Sequence, residues 1–131
     1  MLALLDQGRL LPATDYINAQ RLRRKAQIEF RKVWFEVDCL ITPTSPIPAP
    51  QLGQKTVAIE GEDQEVRAAA TRFTRCFNVL GLPAVSMPCA LTGAGLPIGL
   101  QIVGPPLGDR IALGVAAALE DAGVTIPSCP T

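Results

Sequence analysis

The chain has 131 residues, of which 48% are hydrophobic and 18% charged, and its twelve Lys and Arg balance twelve Asp and Glu to a formal net charge of zero. That makeup is globular rather than disordered, and the even charge excludes an overall electrostatic pull toward nucleic acid or an anionic membrane. Histidine is absent, which removes Ser-His-Asp and Cys-His catalysis and the commonest zinc ligand.

Residues 1–5 are apolar but have no basic flank and no small-residue cleavage signature, so they do not read as a secretory signal. No stretch approaches the roughly 18 apolar residues of a membrane span, and the expected location is cytoplasmic. Cys39, Cys76, Cys89 and Cys129 are irregularly spaced with no C-x-x-C pair. They read as buried or idle free thiols, and neither a metal nor a cofactor is expected.

In chain order, residues 10–37 have the period of a long amphipathic helix, because Ala19, Leu22, Ala26, Phe30, Val33 and Val37 recur at steps of three and four. Thr14 or Asp15 could cap its start. The other faces carry Arg21, Arg23, Arg24, Lys25, Arg31 and Lys32. These suit a nucleic-acid patch or a solvated face; with no aromatic platform beside them, the solvated face is favoured and nucleic acid is not expected as a partner. Cys39, Leu40 and Ile41 form an apolar run ending at Pro43, as in a short buried strand. Residues 42–50 are too proline-dense for a helix or inner strand, since each proline removes a backbone donor, and residues 57–59 suggest a short edge strand.

Residues 63–80 return to a helical period, with Val66, Ala70, Phe73, Phe77 and Leu80 as the apolar stripe and Gly81 then Pro83 as the stop. Thr71, Thr74 and Asn78 fall at i, i+3 and i+7, on one stripe away from the apolar side. Hydroxyl and carboxamide groups both donate and accept, so this stripe suits an amide substrate. It equally suits a plain solvated face, with Asn78 helping to end the helix. Residues 84–87 and 98–103 are β-type runs around a loop with Pro88, Gly93, Gly95 and Pro97. Gly81, Gly95 and Gly104 suit turns with positive φ, and Pro83, Pro88 and Pro97 suit strand entries and exits. A last helix, with Asp109 as candidate cap, runs to about Asp121 with Gly123 beyond. It is apolar nearly all round, which calls for burial on several sides. The other elements are too few to cover it, so the chain reads as a piece of a larger core.

Three stretches carry a family resemblance. Residues 38–44 match D-x-L-x-x-P-T after a helix; residues 74–88 match T-x-x-x-N-x-x-G-x-P-A-x-S-x-P; residues 95–104 match G-L-P-x-G-L-Q-x-x-G. In order and spacing they resemble the amidase-signature family over nearly the whole chain. The resemblance implies an α/β fold with a mixed sheet flanked by helices, of which residues 1–131 would be the C-terminal fragment of a single domain. It also implies hydrolysis of carboxylic amides to acid and ammonia or amine. The nucleophile would be a serine activated through a second serine and a lysine, all in a preceding segment.

Within this chain the serines are Ser45, Ser86 and Ser128 and the lysines Lys25, Lys32 and Lys55. None stands in a glycine-rich serine pair, so no catalytic residue is expected here and the chain alone is expected to be inactive. The resemblance places Thr71, Thr74 and Asn78 on a helix bordering the substrate cleft. At Thr71 the family's tRNA-dependent amidotransferase members tend to carry an aspartate for the amino group of glutamine. Threonine cannot make that charge-assisted contact, which favours a general small-amide hydrolase. Ala90 stands where glycine is usual. Two other readings stay open. One is a component of a tRNA-dependent amidotransferase, similar to its amide-cleaving polypeptide, with the basic helix as local support. The other is a non-catalytic binding or assembly protein, whose apolar surface self-association or a separate catalytic half would cover. A small amide is expected as a partner only in the complete enzyme.

Overall fold

A computed structural model of the chain describes residue 6 and residues 8–124; the apolar run at residues 1–5, Ser128 and Cys129 lie outside the described residues. The chain divides into two units, Met1–Glu36 and Val37–Thr131. Among the described residues no helix is long and apolar enough to cross a membrane.

In the first unit the helical period becomes α1, Ala13–Phe30, continued by a 3-10 helix at Arg31–Phe35. The cap is Pro12, not Thr14 or Asp15. Its carbonyl accepts from the backbone N–H groups of Asp15 at 3.0 Å and Tyr16 at 3.4 Å. Thr14 and Asp15 instead lie inside the first turn, where the Asp15 charge still complements the helix dipole. Phe30 and Trp34 meet edge to face with centroids 5.9 Å apart, a one-turn pair that carries the apolar side past the end of α1. No residue of α1 is buried, and Arg21, Arg23, Arg24, Lys25, Arg31 and Lys32 are all exposed.

The second unit contains β1 (Leu40–Pro43), β2 (Thr56–Ile59), β3 (Glu62–Glu65), α2 (Val66–Ala70), α3 (Arg72–Leu80), β4 (Ala84–Leu91), β5 (Pro97–Val103) and α4 (Asp109–Asp121). Strands and helices interleave as an α/β class requires. In the three-stranded sheet β5 is central, with β1 and β4 antiparallel on either side. The register aligns Ile41, Ile102 and Val85 in one row and Pro43, Leu100 and Met87 in the next but one. Because side chains alternate across a strand, those rows share a face. On that face Met87 and Ile102 pack with Ala112 and Ala116 of α4, and Cys39, Val85, Leu100, Val115 and Leu119 close the margin.

Several expectations meet corrections with clear physical causes. The run at residues 84–87 extends to Leu91 because the ladder bulges between Pro88 and Ala90. A proline without a ladder donor is tolerated at such a bulge on an edge strand, so Pro88 lies within β4 rather than at its exit. Residues 63–65, read as helix, pair in β3 with β2 through a turn in which Glu60 (φ 54°) and Gly61 (φ 86°) are both left-handed. Two positive φ values are what a type I′ hairpin needs.

The single helix expected over 63–80 is therefore two helices, parted at Thr71 (φ −96°, ψ 4°). There the Thr71 hydroxyl donates to the Arg67 carbonyl at 2.9 Å, the back-bonding that bends helices. Glu65 caps α2, its Oε1 and Oε2 accepting from the N–H groups of Arg67 at 3.1 Å and Ala68 at 2.8 Å. Glu65→Ala should therefore cost about 1 kcal/mol, seen as a lower urea midpoint at unchanged m-value. The stop signal holds: Gly81 is left-handed (φ 73°), and the N–H groups of Gly81 and Leu82 donate to the Phe77 carbonyl at 2.9 and 3.1 Å.

The last helix has the expected span, but Gly108 rather than Asp109 caps it, the Gly108 carbonyl accepting from Ile111 and Ala112 at 3.0 and 3.1 Å. Burial on several sides is not met within these residues. Only Ala112 and Ala116 of α4 are buried, while Leu113 is 59% exposed.

Candidate functional site

The wall between α2 and α3 forms a cleft of about 550 Å³ lined by Glu65, Arg67, Ala68, Thr71, Thr74, Arg75 and Asn78. All three residues of the polar stripe, Thr71, Thr74 and Asn78, line it together, even though the helix breaks at the first of them. The hydroxyl protons of Thr71 and Thr74 are spent on backbone carbonyls, Thr71 on Arg67 at 2.9 Å and Thr74 on Thr71 at 3.3 Å. Their oxygen lone pairs remain as acceptors toward the cleft, apart from one contact from Arg75 Nη2 to Thr71 Oγ1 at 2.7 Å. The carbonyl of Asn78 accepts from the Gly81 N–H at 3.2 Å, so its part in ending the helix is played by the main chain and its carboxamide is left for other use.

Sequence reasoning passed over Glu65, Arg67 and Arg75. The available signal was spacing: Arg75 lies one turn beyond Thr71 and Arg67 one turn before it, so the three share a helical face.

A second cleft, of about 440 Å³, lies under the proline-dense segment, with Thr44, Ser45, Pro46, Thr92 and Gly99 among its lining residues. On that side of the sheet the Thr44 and Ser86 hydroxyls lie 2.6 Å apart, and the buried Gln101 donates through Nε2 to Thr42 Oγ1 at 3.1 Å. Gly99 leaves the space they occupy, since a Cβ there would sit 2.7 Å from Thr44 Oγ1. These are neutral pairs, and Ser86 faces a hydroxyl rather than a base.

Ser45 is likewise occupied, its Oγ accepting from the Ile47 N–H at 3.3 Å. Lys25, Lys32 and Lys55 are all exposed, whereas a lysine acting as a base at neutral pH has to be desolvated. No serine is hydrogen-bonded to a lysine among the described residues. Of the cysteines, Cys39 and Cys89 are half-buried and Cys76 is exposed, all as free thiols. No cluster of three or more His, Cys, Asp or Glu is placed to hold a metal ion among the described residues.

The α/β scaffold thus sets Thr71, Thr74 and Asn78 in one cleft beside Glu65, Arg67 and Arg75, while Ser45 and Ser86 have neutral hydrogen-bond partners. The chain belongs to the amidase family, whose model matches residues 3–113. It is 38% identical over 109 residues to a fatty acid amide hydrolase of Oryza sativa subsp. indica, covering 83% of this chain and 18% of that protein. Over 105 residues it is 40% identical to a glutamyl-tRNA(Gln) amidotransferase polypeptide of Myxococcus xanthus, covering 80% of this chain and 21% of that one. A crystal structure of an amidase superposes with a TM-score of 0.84 at 35% identity, over 90% of this chain and 27% of the other. The chain thus spans about a fifth of the length of the curated relatives it matches. The family read from the three motifs and its α/β fold both hold.

Proposed function

We propose that this chain serves as the C-terminal segment of an amidase-signature hydrolase of carboxylic amides, supplying sheet strands and one wall of the substrate cleft. The catalytic serines and lysine would be carried outside these 131 residues. The observation that carries the reading is the shared cleft of Thr71, Thr74 and Asn78 in a chain of the amidase family. An amide presents one acceptor oxygen and N–H donors. Lone pairs on two hydroxyls and a free carboxamide can match both without imposing a charge. The relatives named above agree on the amide as the group concerned.

A role in a tRNA-dependent amidotransferase is the second reading, favoured by the 40% identity to the Myxococcus protein. Thr71 weighs against it, because a hydroxyl offers an ammonium group no counter-charge.

The isolated chain, incubated with benzamide or acetanilide, should release ammonia or aniline no faster than buffer does. A hydroxyl without a positioned base is too weak a nucleophile for amide cleavage. Turnover that disappears in Ser86→Ala would overturn the reading.

A further inference from the structure

The cleft wall carries positive charge that its own residues do not neutralise. Arg67 and Arg75 both line it, and Glu65 is the single carboxylate beside them. Glu65 keeps its charge but is held at the start of α2, each of its oxygens accepting a backbone N–H, so one positive charge of the two remains in excess in the cleft. Neither guanidinium belongs to an ion pair among the described residues. Arg75 is also held in place: Nη2 donates to Thr71 Oγ1 at 2.7 Å and to the Ala68 carbonyl at 3.4 Å. Two uncharged acceptors orient the guanidinium without cancelling its charge, and they occupy only one of its three nitrogens. A planar fork with donors to spare matches a carboxylate with two parallel hydrogen bonds.

The geometry points to a cleft that takes amides bearing a carboxylate group, with Arg75, supported by Arg67, on the carboxylate and the Thr71, Thr74 and Asn78 stripe on the amide. This rests on the amide-cleft reading above. Thr71 determines the preference, because its neutral hydroxyl positions Arg75 and leaves the charge free. An aspartate at that position, one turn before Arg75, would form an i,i+4 ion pair with it and remove the attraction.

The test compares succinamate, which joins a carboxamide to a carboxylate through two methylenes, with butyramide, which ends in a methyl instead. Each is titrated into the isotopically labelled full chain, whose wall should hold it weakly even though productive amide binding belongs to the complete enzyme, and followed by the backbone amide resonances of residues 65–78. Succinamate should bind about fivefold more tightly than butyramide, the scale of an exposed charge contact, and the advantage should shrink as salt is raised. Arg75→Gln and Thr71→Asp should each bring the two ligands to parity, with resonances outside residues 65–78 unchanged as the folding control; Arg75→Lys should keep part of the preference.

Equal binding of the two ligands by the unaltered chain would overturn the carboxylate assignment and leave the amide cleft standing. A preference that survives Arg75→Gln would overturn the role of Arg75. Binding of neither ligand at residues 65–78 would overturn the cleft reading itself.

Discussion

Truncating Ile102 to alanine should cost about 3 kcal/mol and lower the urea midpoint of the second unit more than any other single truncation in the sheet. Ile102 is fully buried, at 0% exposure. It sits on the central strand between Ile41 and Val85, in one cluster with Met87, Ala112 and Ala116. Removing three carbons there loses their transfer free energy and leaves a cavity that neighbours on two strands and a helix cannot all collapse into, the situation in which such truncations cost about 2–5 kcal/mol. Only seven hydrophobic side chains are buried among the described residues, so little other packing can absorb the loss. Against the roughly 5–15 kcal/mol typical of a whole domain, that is a large share. Ile102→Val keeps most of the volume and should cost about 1 kcal/mol. Urea curves for the two variants, with m-values checked for constancy, decide the matter. If alanine costs no more than valine, the Ile41–Ile102–Val85 row is not the centre of the core.

The parts of this fold legible in the sequence are those where one residue type is physically required or a period runs long. Gly81 announces the end of α3 because a left-handed cap favours glycine, and the span of α4 follows from the apolar run Ile111 to Leu119, bracketed by charged residues on both sides. The polar stripe was legible for the same reason: i, i+3 and i+7 keep Thr71, Thr74 and Asn78 on one side even across the break at Thr71.

What escaped depends on contacts rather than periods. β3 is Glu-Asp-Gln-Glu, a string with no apolar alternation, and it is a strand only because the Glu60–Gly61 turn folds it onto β2. Glu-Gly is a weak relative of the Asn-Gly signal for such a turn. The caps of α1 and α4 are main-chain carbonyls of Pro12 and Gly108, which leave no side-chain signature, so Thr14, Asp15 and Asp109 looked better than they are. Arg75 was one basic residue among many until its 2.7 Å contact with Thr71 gave it a place in the cleft. The all-round apolarity of α4 states a demand for cover that these residues meet on one side only.

Gly104 shows the same limit, and its replacement carries the second large effect. By motif it resembled a turn glycine, yet it is not among the residues with positive φ. The requirement is close approach. A Cβ on Gly104 would lie 2.6 Å from the Gly108 carbonyl oxygen and 3.3 Å from its carbon, with Pro83 Cγ at 3.5 Å. The obstructing atoms belong to the backbone and cannot swing aside as a side-chain end would. That carbonyl accepts the Ile111 and Ala112 N–H groups that begin α4, while the Gly104 N–H donates to the Pro83 carbonyl at 2.9 Å.

Relief therefore means either displacing the first turn of α4 or pulling the end of β5 away from the entry to β4. Overpacking of this kind costs about 1–3 kcal/mol, and with backbone on both sides the upper end is expected for Gly104→Ala. Gly114→Ala makes the comparison sharp, because nothing lies within 4 Å of a Cβ at that helical position and alanine there should gain up to about 1 kcal/mol from helix propensity. One alanine should lower the urea midpoint and the other raise it. Shifts of the same sign would mean that Gly104 and Gly108 do not meet as described, and that the join between sheet and α4 is looser than these distances imply.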